Sequence, residues 1–213
     1  MKFDGIILDI DGTIWNTTDV VAQAWNVAID NNFPQVPHVS GDILKGQFGK
    51  TMKVIADNLF SVLNEDEKNF LMKKCCEAEQ AKLHSDVKVP VYPNVIETIR
   101  TLSVEKNIPL FIVSNCQAGY IEVVLEKNKI TEFITDSECF GNNGKNKDEN
   151  IRLIVERNNL KKPVYVGDTQ GDYEACQKAG VPFIWASYGF GKPADDNYFA
   201  QIKDFSELKK LVL

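Results

Sequence analysis

The sequence has no apolar run long enough to cross a membrane. Its first residues also reach Asp4 without the apolar stretch of a secretion signal. The five cysteines show no spacing typical of a metal site. Acidic residues outnumber basic ones, 30 against 24, which argues against a nucleic-acid surface. We therefore expect a cytoplasmic protein with reduced thiols, a monomer or weak homodimer that binds neither membranes nor nucleic acids.

The pattern of helices and strands changes along the chain of 213 residues. From about residue 90 onward, short apolar runs alternate with helical patterns, which is typical of βαβ units and a parallel sheet. Residues 16–88 carry only helical patterns. We predict an α/β fold in which residues 1–15 and 90–213 form a doubly wound parallel-sheet core. An all-helical cap is inserted at residues 16–89.

Local signals place several element boundaries. Asn64 and Glu67 have the spacing of a capping box at the start of a helix that extends to about Leu83. Residues 141–147 are rich in glycine and asparagine and predict a polar loop. A later helix is predicted to begin at Tyr173.

The first predicted strand ends in a group of polar residues. Asp9 and Asp11 follow a short apolar run and lie on the same side of the extended chain. Two carboxylates this close repel each other unless a cation or a shared proton is present. Gly12 allows a sharp turn and the close approach of a ligand, and Thr13 adds a hydroxyl. An acidic turn without a ligand is the alternative interpretation.

Two further predicted strands also end in polar residues. Ser114 and Asn115 follow one of them, and Asp168, Thr169 and Asp172 follow another. Because the carboxyl ends of parallel strands lie at one edge of the sheet, these side chains are expected to form one cleft. Converging carboxylates need a hard cation, and Mg²⁺ binds a few carboxylates together with phosphate oxygens. The pattern therefore predicts a site for phosphoryl transfer.

These residues resemble the four motifs of the haloacid dehalogenase superfamily in their order and spacing. The motifs are Asp9-Ile10-Asp11-Gly12-Thr13, Ser114-Asn115, Lys147 and Gly167-Asp168-Thr169-Gln170-Gly171-Asp172. The resemblance covers the whole chain, including the helical cap after the first motif. It implies a Rossmann-like core of the superfamily's phosphoglycolate phosphatase-like or β-phosphoglucomutase-like group.

The resemblance also implies a role for each motif residue. Asp9 would form an aspartyl phosphate, and Asp11 would protonate the leaving group and then activate water. Thr13 would support the loop geometry. Mg²⁺ would be held by Asp9, by the backbone carbonyl of Asp11 and by Asp168, with Asp172 orienting the metal shell or the lysine. The phosphoryl group would be bound by Ser114, Asn115 and Lys147, next to Gly12.

Three assignments have alternatives. The phosphate-binding lysine is Lys147 or Lys145, and we prefer Lys147 because it directly precedes a predicted helix. Asp172 is either part of the metal site or the N-cap of the helix from Tyr173. Gly49 and Lys50 form either a cap loop that contacts the substrate or a glycine turn with a surface lysine.

The function predicted from these residues is Mg²⁺-dependent hydrolysis of a small phosphorylated metabolite. A sugar phosphomutase of the β-phosphoglucomutase type is an alternative with the same motifs. A catalytically silent phosphate-binding regulator is an alternative of another class. Hydrolysis of an artificial phosphate ester would distinguish an enzyme from such a regulator.

Overall fold

The computed structural model describes residues 2–85 and 87–212, and a parallel β-sheet lies at its centre. The strands, β1 to β6 in chain order, are Gly5–Leu8, Leu110–Ser114, Ile134–Cys139, Pro163–Gly167, Phe183–Ala186 and Ala200–Ile202. Their order in the sheet is β3-β2-β1-β4-β5-β6, and every pairing is parallel. The strand order reverses between β1 and β4, and open α/β sheets bind ligands at the carboxyl ends of the strands at such a point. The predicted doubly wound α/β fold is confirmed.

Helices cover both faces of the sheet and fill the segment after β1. The helices, α1 to α10, are Thr18–Asn32, Gly41–Lys45, Met52–Leu59, Glu65–His84, Val95–Arg100, Tyr120–Lys127, Phe140–Asn143, Lys147–Arg157, Gln170–Ala179 and Leu208–Val212. A π-helical turn at Thr101–Glu105 follows α5, and 3-10 turns lie at Thr131–Phe133 and Phe205–Glu207. Within the part of the chain that the structure describes, no helix is both long and apolar enough to cross a membrane.

Strand β1 is buried on both faces because its side chains alternate between two cores. Ile6 and Leu8 pack into the core on one face of the sheet, and Ile7 packs into the core on the other. Continuous apolar residues are expected in a central parallel strand, since helices cover both of its sides. This arrangement places Asp9, the residue after β1, at the centre of the carboxyl edge.

Helices α1 to α4 have a hydrophobic core of their own. Trp25, Leu44, Phe60 and Leu71 are among its fully buried members. Helices α1 and α4 pack against each other along their length. From this separate core we propose that residues 16–89 act as a cap domain over the sheet edge.

Several predicted boundaries are corrected by the structure. The capping box at Asn64 and Glu67 is confirmed. The predicted loop at 141–147 is wrong in part, because helix α7 occupies Phe140–Asn143 and Lys147 is already the first residue of α8. Helix α9 begins at Gln170 rather than at Tyr173. Strand β6 was not predicted, because its three residues contain no apolar run.

Candidate active site

The turn after β1 places two of the predicted acids at the sheet edge. Asp9 is buried, and its backbone N–H donates to the carbonyl oxygen of Val166 on β4 (2.9 Å). At Gly12 the backbone is left-handed (φ 84°), and a Cβ there would overlap the carboxylate of Asp168. Glycine is therefore required at this turn for both conformational and steric reasons.

Lys147 is buried between two carboxylates at the start of α8. Its Nζ donates to Oδ1 of Asp9 (2.8 Å) and to Oδ1 of Asp172 (2.6 Å). Burial lowers the pKa of the Lys147 ammonium, but the charges of Asp172 and Asp9 outweigh burial and raise its pKa above the ordinary value. Lys145 is exposed in the preceding turn. Of the two candidate lysines, only Lys147 contacts the predicted nucleophile among the described residues.

The carboxylate of Asp172 receives several hydrogen bonds and belongs to a capping box. Its Oδ2 accepts from the backbone N–H of Asp168 (3.2 Å) and from the N–H and Oγ1 of Thr169 (3.0 and 2.7 Å). Burial raises the pKa of this carboxyl, but Lys147 and the Thr169 donors outweigh burial and lower the pKa overall. The N-cap of α9 is Thr169, so the N-cap role considered for Asp172 is wrong. Asp172 is the third residue of α9 and holds Lys147 in place.

Asp168 has one carboxylate oxygen without a partner. Its Oδ2 accepts from the backbone N–H of Phe190 (2.6 Å), whereas Oδ1 is buried and has no hydrogen-bond partner among residues 2–85 and 87–212. Burial, followed by the charges of Asp172 and Asp9, raises the pKa of Asp168 well above its usual range. Carboxylate oxygens of Asp9, Asp168 and Asp172 lie within 4.8 Å of one another. Three hard oxygen donors, one of them unpaired, fit a divalent cation such as Mg²⁺. The carboxylate of Asp11 does not belong to this cluster of acids.

Asp11 is oriented by hydroxyl groups instead. Its Oδ1 accepts from the hydroxyl of Tyr120 on α6 (2.7 Å) and from Oγ1 of Thr17 (3.1 Å). Burial raises the pKa of the Asp11 carboxyl to about 7; the Tyr120 hydrogen bond opposes this shift, and the charge of Glu79 adds to it. A carboxyl with this pKa can give and take a proton near neutral pH.

The remaining predicted core residues lie around the same edge. Ser114 is the buried last residue of β2. The side-chain Nδ2 of Asn115 donates to the carbonyl oxygen of Gly49 in the cap (2.8 Å), which joins the cap to the core beside the site. Thr13 is buried, and its Oγ1 has no partner within the described segments. Thr13 is also linked to a later loop, since its carbonyl oxygen accepts from the hydroxyl of Tyr188 (2.9 Å).

The cap loop reaches the core, but its lysine is turned back on the loop. Gly49 has a left-handed backbone (φ 88°) and lies next to Thr169. The Nζ of Lys50 donates to the carbonyl oxygen of Gly46 (2.8 Å) and to Oε1 of Gln47 (3.2 Å). Gly49 therefore lies at the contact between the cap and the core, whereas the exposed Lys50 ammonium is engaged within its own loop.

A narrow cleft, partly open to solvent, lies between the cap and the sheet edge. Sequence reasoning missed four of its polar or aromatic lining residues: Trp25, Glu79, Gln117 and Tyr120. For Glu79 there was a signal, because it continues the four-residue spacing of the buried Leu71, Cys75 and Leu83 on α4. An acid at an inward position of an amphipathic helix is unusual.

The loop after β5 was also missed. Gly189 packs so closely on the site that a Cβ there would overlap the side chain of Asp168 and the carbonyl oxygen of Gly12. The next residue, Phe190, supplies the backbone N–H that binds Asp168. A glycine-containing loop after a strand end was the available signal.

Comparisons with known proteins identify the family of this chain and relatives with the same fold. The sequence profile of haloacid dehalogenase-like hydrolases matches residues 6–186. The chain is similar to the phosphoglycolate phosphatase of Aliivibrio fischeri (24% identity, 90% of this chain and 88% of the relative) and to that of Mannheimia succiniciproducens (25%, 99% of each). A crystal structure of a predicted phosphoglycolate phosphatase from Haemophilus somnus has the same fold (TM-score 0.87, 22% identity, 100% of this chain and 99% of that one).

Proposed function

The chain belongs to the haloacid dehalogenase-like hydrolases and is a phosphatase, and we propose that it hydrolyses a small phosphate monoester through an aspartyl phosphate on Asp9. The observation that carries this proposal is the buried arrangement in which Lys147 bridges Asp9 and Asp172 beside the unpaired oxygen of Asp168. The ammonium group holds the Asp9 carboxylate in position. Together with a cation beside it, the ammonium group neutralises the phosphoryl oxygens, which favours attack of the carboxylate on phosphorus.

The first half of the proposed reaction transfers the phosphoryl group to Asp9. A carboxylate oxygen of Asp9 forms a bond to phosphorus, and the bond between phosphorus and the ester oxygen breaks. Asp11 gives its proton to the departing alcohol. The Tyr120 hydroxyl keeps the Asp11 carboxyl oriented during this step, since it donates to Oδ1 (2.7 Å).

The second half releases phosphate. Asp11, now ionised, takes a proton from a water molecule, which attacks phosphorus and breaks its bond to the Asp9 oxygen. Inorganic phosphate leaves, and both carboxyl groups return to their starting states. Ser114 and Lys147 bind the phosphoryl oxygens in both halves, and the cap limits the entry of other water.

Asp9, Asp168 and the backbone carbonyl of Asp11 would hold Mg²⁺, with Asp172 beside them. The metal would supply positive charge for the phosphoryl oxygens. This assignment is supported by the all-oxygen donor set and by the buried, unpaired Oδ1 of Asp168.

Phosphate release from a panel of small phosphate monoesters tests the proposal, with Mg²⁺ and with a chelator. We expect release that requires the metal. The reaction is repeated with an ester labelled in its phosphoryl group and stopped with acid. Label should stay on the wild-type protein and not on Asp9→Asn, whose amide is a poor nucleophile. Isomerisation of a sugar phosphate without phosphate release would favour a mutase, and turnover by Asp9→Asn equal to wild type would refute the nucleophile.

A further inference from the structure

A buried acid on the cap faces the same cleft as Asp11. Glu79 on α4 is 3% exposed and lines the cleft together with Gln117 and Trp25. Its Oε2 accepts from Nε1 of Trp25 (2.8 Å), and its Oε1 accepts from Nε2 of Gln117 (2.9 Å). Gln117 belongs to the core, so Glu79 also connects the cap to the loop after β2. The proposed chemistry at Asp9 and Asp11 does not use this acid.

Several side-chain hydrogen-bond donors around the cleft are engaged, whereas two side-chain amide oxygens are not. Five donors have partners within the protein: Trp25 and Gln117 with Glu79, Asn115 with Gly49, Tyr120 with Asp11, and Lys50 with Gly46. In contrast, Oδ1 of Asn115 and Oε1 of Gln117 are buried without a partner among the described residues. The amide orientation of Asn115 is fixed, because its Nδ2 faces the carbonyl oxygen of Gly49, which can only accept. The orientation of Gln117 is fixed in the same way when Glu79 is ionised. A group bound against these two oxygens must donate hydrogen bonds to satisfy them.

The charged groups of the cleft also disfavour a second anionic group on the substrate. Glu79 and Asp11 both present carboxyl groups, and Lys147 is occupied by Asp9 and Asp172 at the phosphoryl end. Among the lining residues that the structure describes, Lys50 carries the positive charge, and its ammonium is held by its own loop. A second anionic group on the substrate would meet acids and unpaired acceptors without a partner.

We propose that Glu79, Asn115 and Gln117 form the leaving-group subsite and select phosphate esters whose alcohol carries hydroxyl or amine donors over those that carry a carboxylate. This inference rests on the proposed function, since it names the substrate class of the same site. Phosphoglycolate carries a carboxylate next to its phosphate ester, so we expect this chain to prefer a different substrate from the one in the name of its phosphoglycolate phosphatase relatives.

The test compares kcat/KM for glycerol phosphate, ethanolamine phosphate and phosphoglycolate, with p-nitrophenyl phosphate as a measure of general phosphatase activity. We expect the hydroxyl or amine ester to exceed phosphoglycolate by about tenfold or more, since an unpaired buried charge loses at least that much binding. Phosphoglycolate as the preferred substrate would overturn the inference alone. No phosphate release from any ester in Mg²⁺ would instead overturn the proposed function.

A variant locates the preference in the subsite. Glu79→Gln removes the charge and keeps the size, and we expect it to reduce the ratio of kcat/KM between the preferred ester and phosphoglycolate by about tenfold. This ratio does not depend on the amount of active protein, so partial misfolding cannot produce the change. Glu77→Gln is the matched control, because Glu77 is an exposed residue of the same helix that pairs with Lys74 outside the cleft. An unchanged ratio in Glu79→Gln would overturn the role of Glu79, and the wild-type panel decides the substrate class even if this variant does not fold.

Discussion

Replacement of Lys147 by methionine tests the centre of the site most directly. The side chain is 4% exposed, and its ammonium contacts Asp9 and Asp172, which are 2% and 0% exposed. Methionine keeps most of the side-chain length but leaves the Asp9, Asp168 and Asp172 cluster without its ammonium partner. Loss of one partner from a buried ion pair costs about 3–5 kcal/mol, so the free energy of unfolding without metal should fall by that amount. In a protein of this size, we expect a decrease in Tm of roughly 10 °C.

The assay is thermal and urea unfolding of wild type and Lys147→Met, each in chelator and in Mg²⁺. Addition of Mg²⁺ should stabilise the variant more than the wild type, because the divalent cation then supplies the positive charge that the three carboxylates lack. A ligand at about 100 times its Kd contributes about 2.7 kcal/mol, which is well within the range of such measurements. Phosphate release by the variant should be lost under both conditions.

Lys145→Met is the matched control, since Lys145 is exposed and lies two residues earlier. Its effect on stability and turnover should be small, because exposed charges contribute about 0–1 kcal/mol. The reasoning would be refuted if Lys147→Met retained wild-type stability in chelator. It would also be refuted if Lys145→Met abolished turnover while Lys147→Met did not.

Three further changes test the surroundings of the site. Glu79→Gln should reduce the pH dependence of stability. Burial raises the pKa of Glu79 from 4.5 to about 7, so the free energy of unfolding of the wild type should fall by roughly 3 kcal/mol as pH rises between these values. Urea unfolding of wild type and variant between about pH 5 and pH 8 measures this difference. Tyr120→Phe removes the hydroxyl that orients Asp11 and should lower kcat about tenfold or more with a smaller change in KM, as steady-state kinetics would show. Gly189→Ala should lower phosphate release roughly a hundredfold, because its methyl group displaces Asp168.

Each of these expectations can fail in a defined way. If Glu79→Gln and wild type lose stability in parallel as pH rises, Glu79 is not the group that titrates. A Tyr120→Phe variant with a raised KM and normal kcat would make Tyr120 a binding group rather than a positioning one. Gly46→Ala is the control for Gly189→Ala, because a Cβ at Gly46 meets its nearest neighbour at an ordinary 3.5 Å. Equal activity in these two alanine variants would show that the loop after β5 tolerates side chains.

The parallel sheet and its edge were predictable because each depends on a local pattern. The apolar run of β1 is short and continuous, and Asp9 and Asp11 follow it directly. The local signal for strand β3 is weak, since Asp136, Ser137 and Glu138 interrupt its apolar pattern. As an edge strand, β3 pairs on one side only, so polar residues are tolerated there.

The start of α9 illustrates the limit of a local pattern. The sequence predicted a helix from Tyr173 with Asp172 as a candidate N-cap, although Thr169 is also a capping residue type. The structure shows that they cap together, and the same bonds fix the carboxylate that holds Lys147. The catalytic and metal-binding roles of the motif residues remain predictions that the experiments above address.

The sequence by itself determined the α/β fold, the family and the acids at the sheet edge, because strand periodicity and the order and spacing of the motifs are properties of the linear chain. Only the tertiary structure decided which groups meet across the chain. Lys147 reaches Asp9 over 138 positions, Tyr120 reaches Asp11 over 109, and Gln117 reaches Glu79 over 38. Tertiary packing also decided that the Lys50 ammonium binds its own loop and that the side-chain oxygens of Asn115 and Gln117 have no partner among the described residues. These contacts depend on how the helices of the cap pack against the edge of the sheet, and a linear pattern contains no signal for that packing.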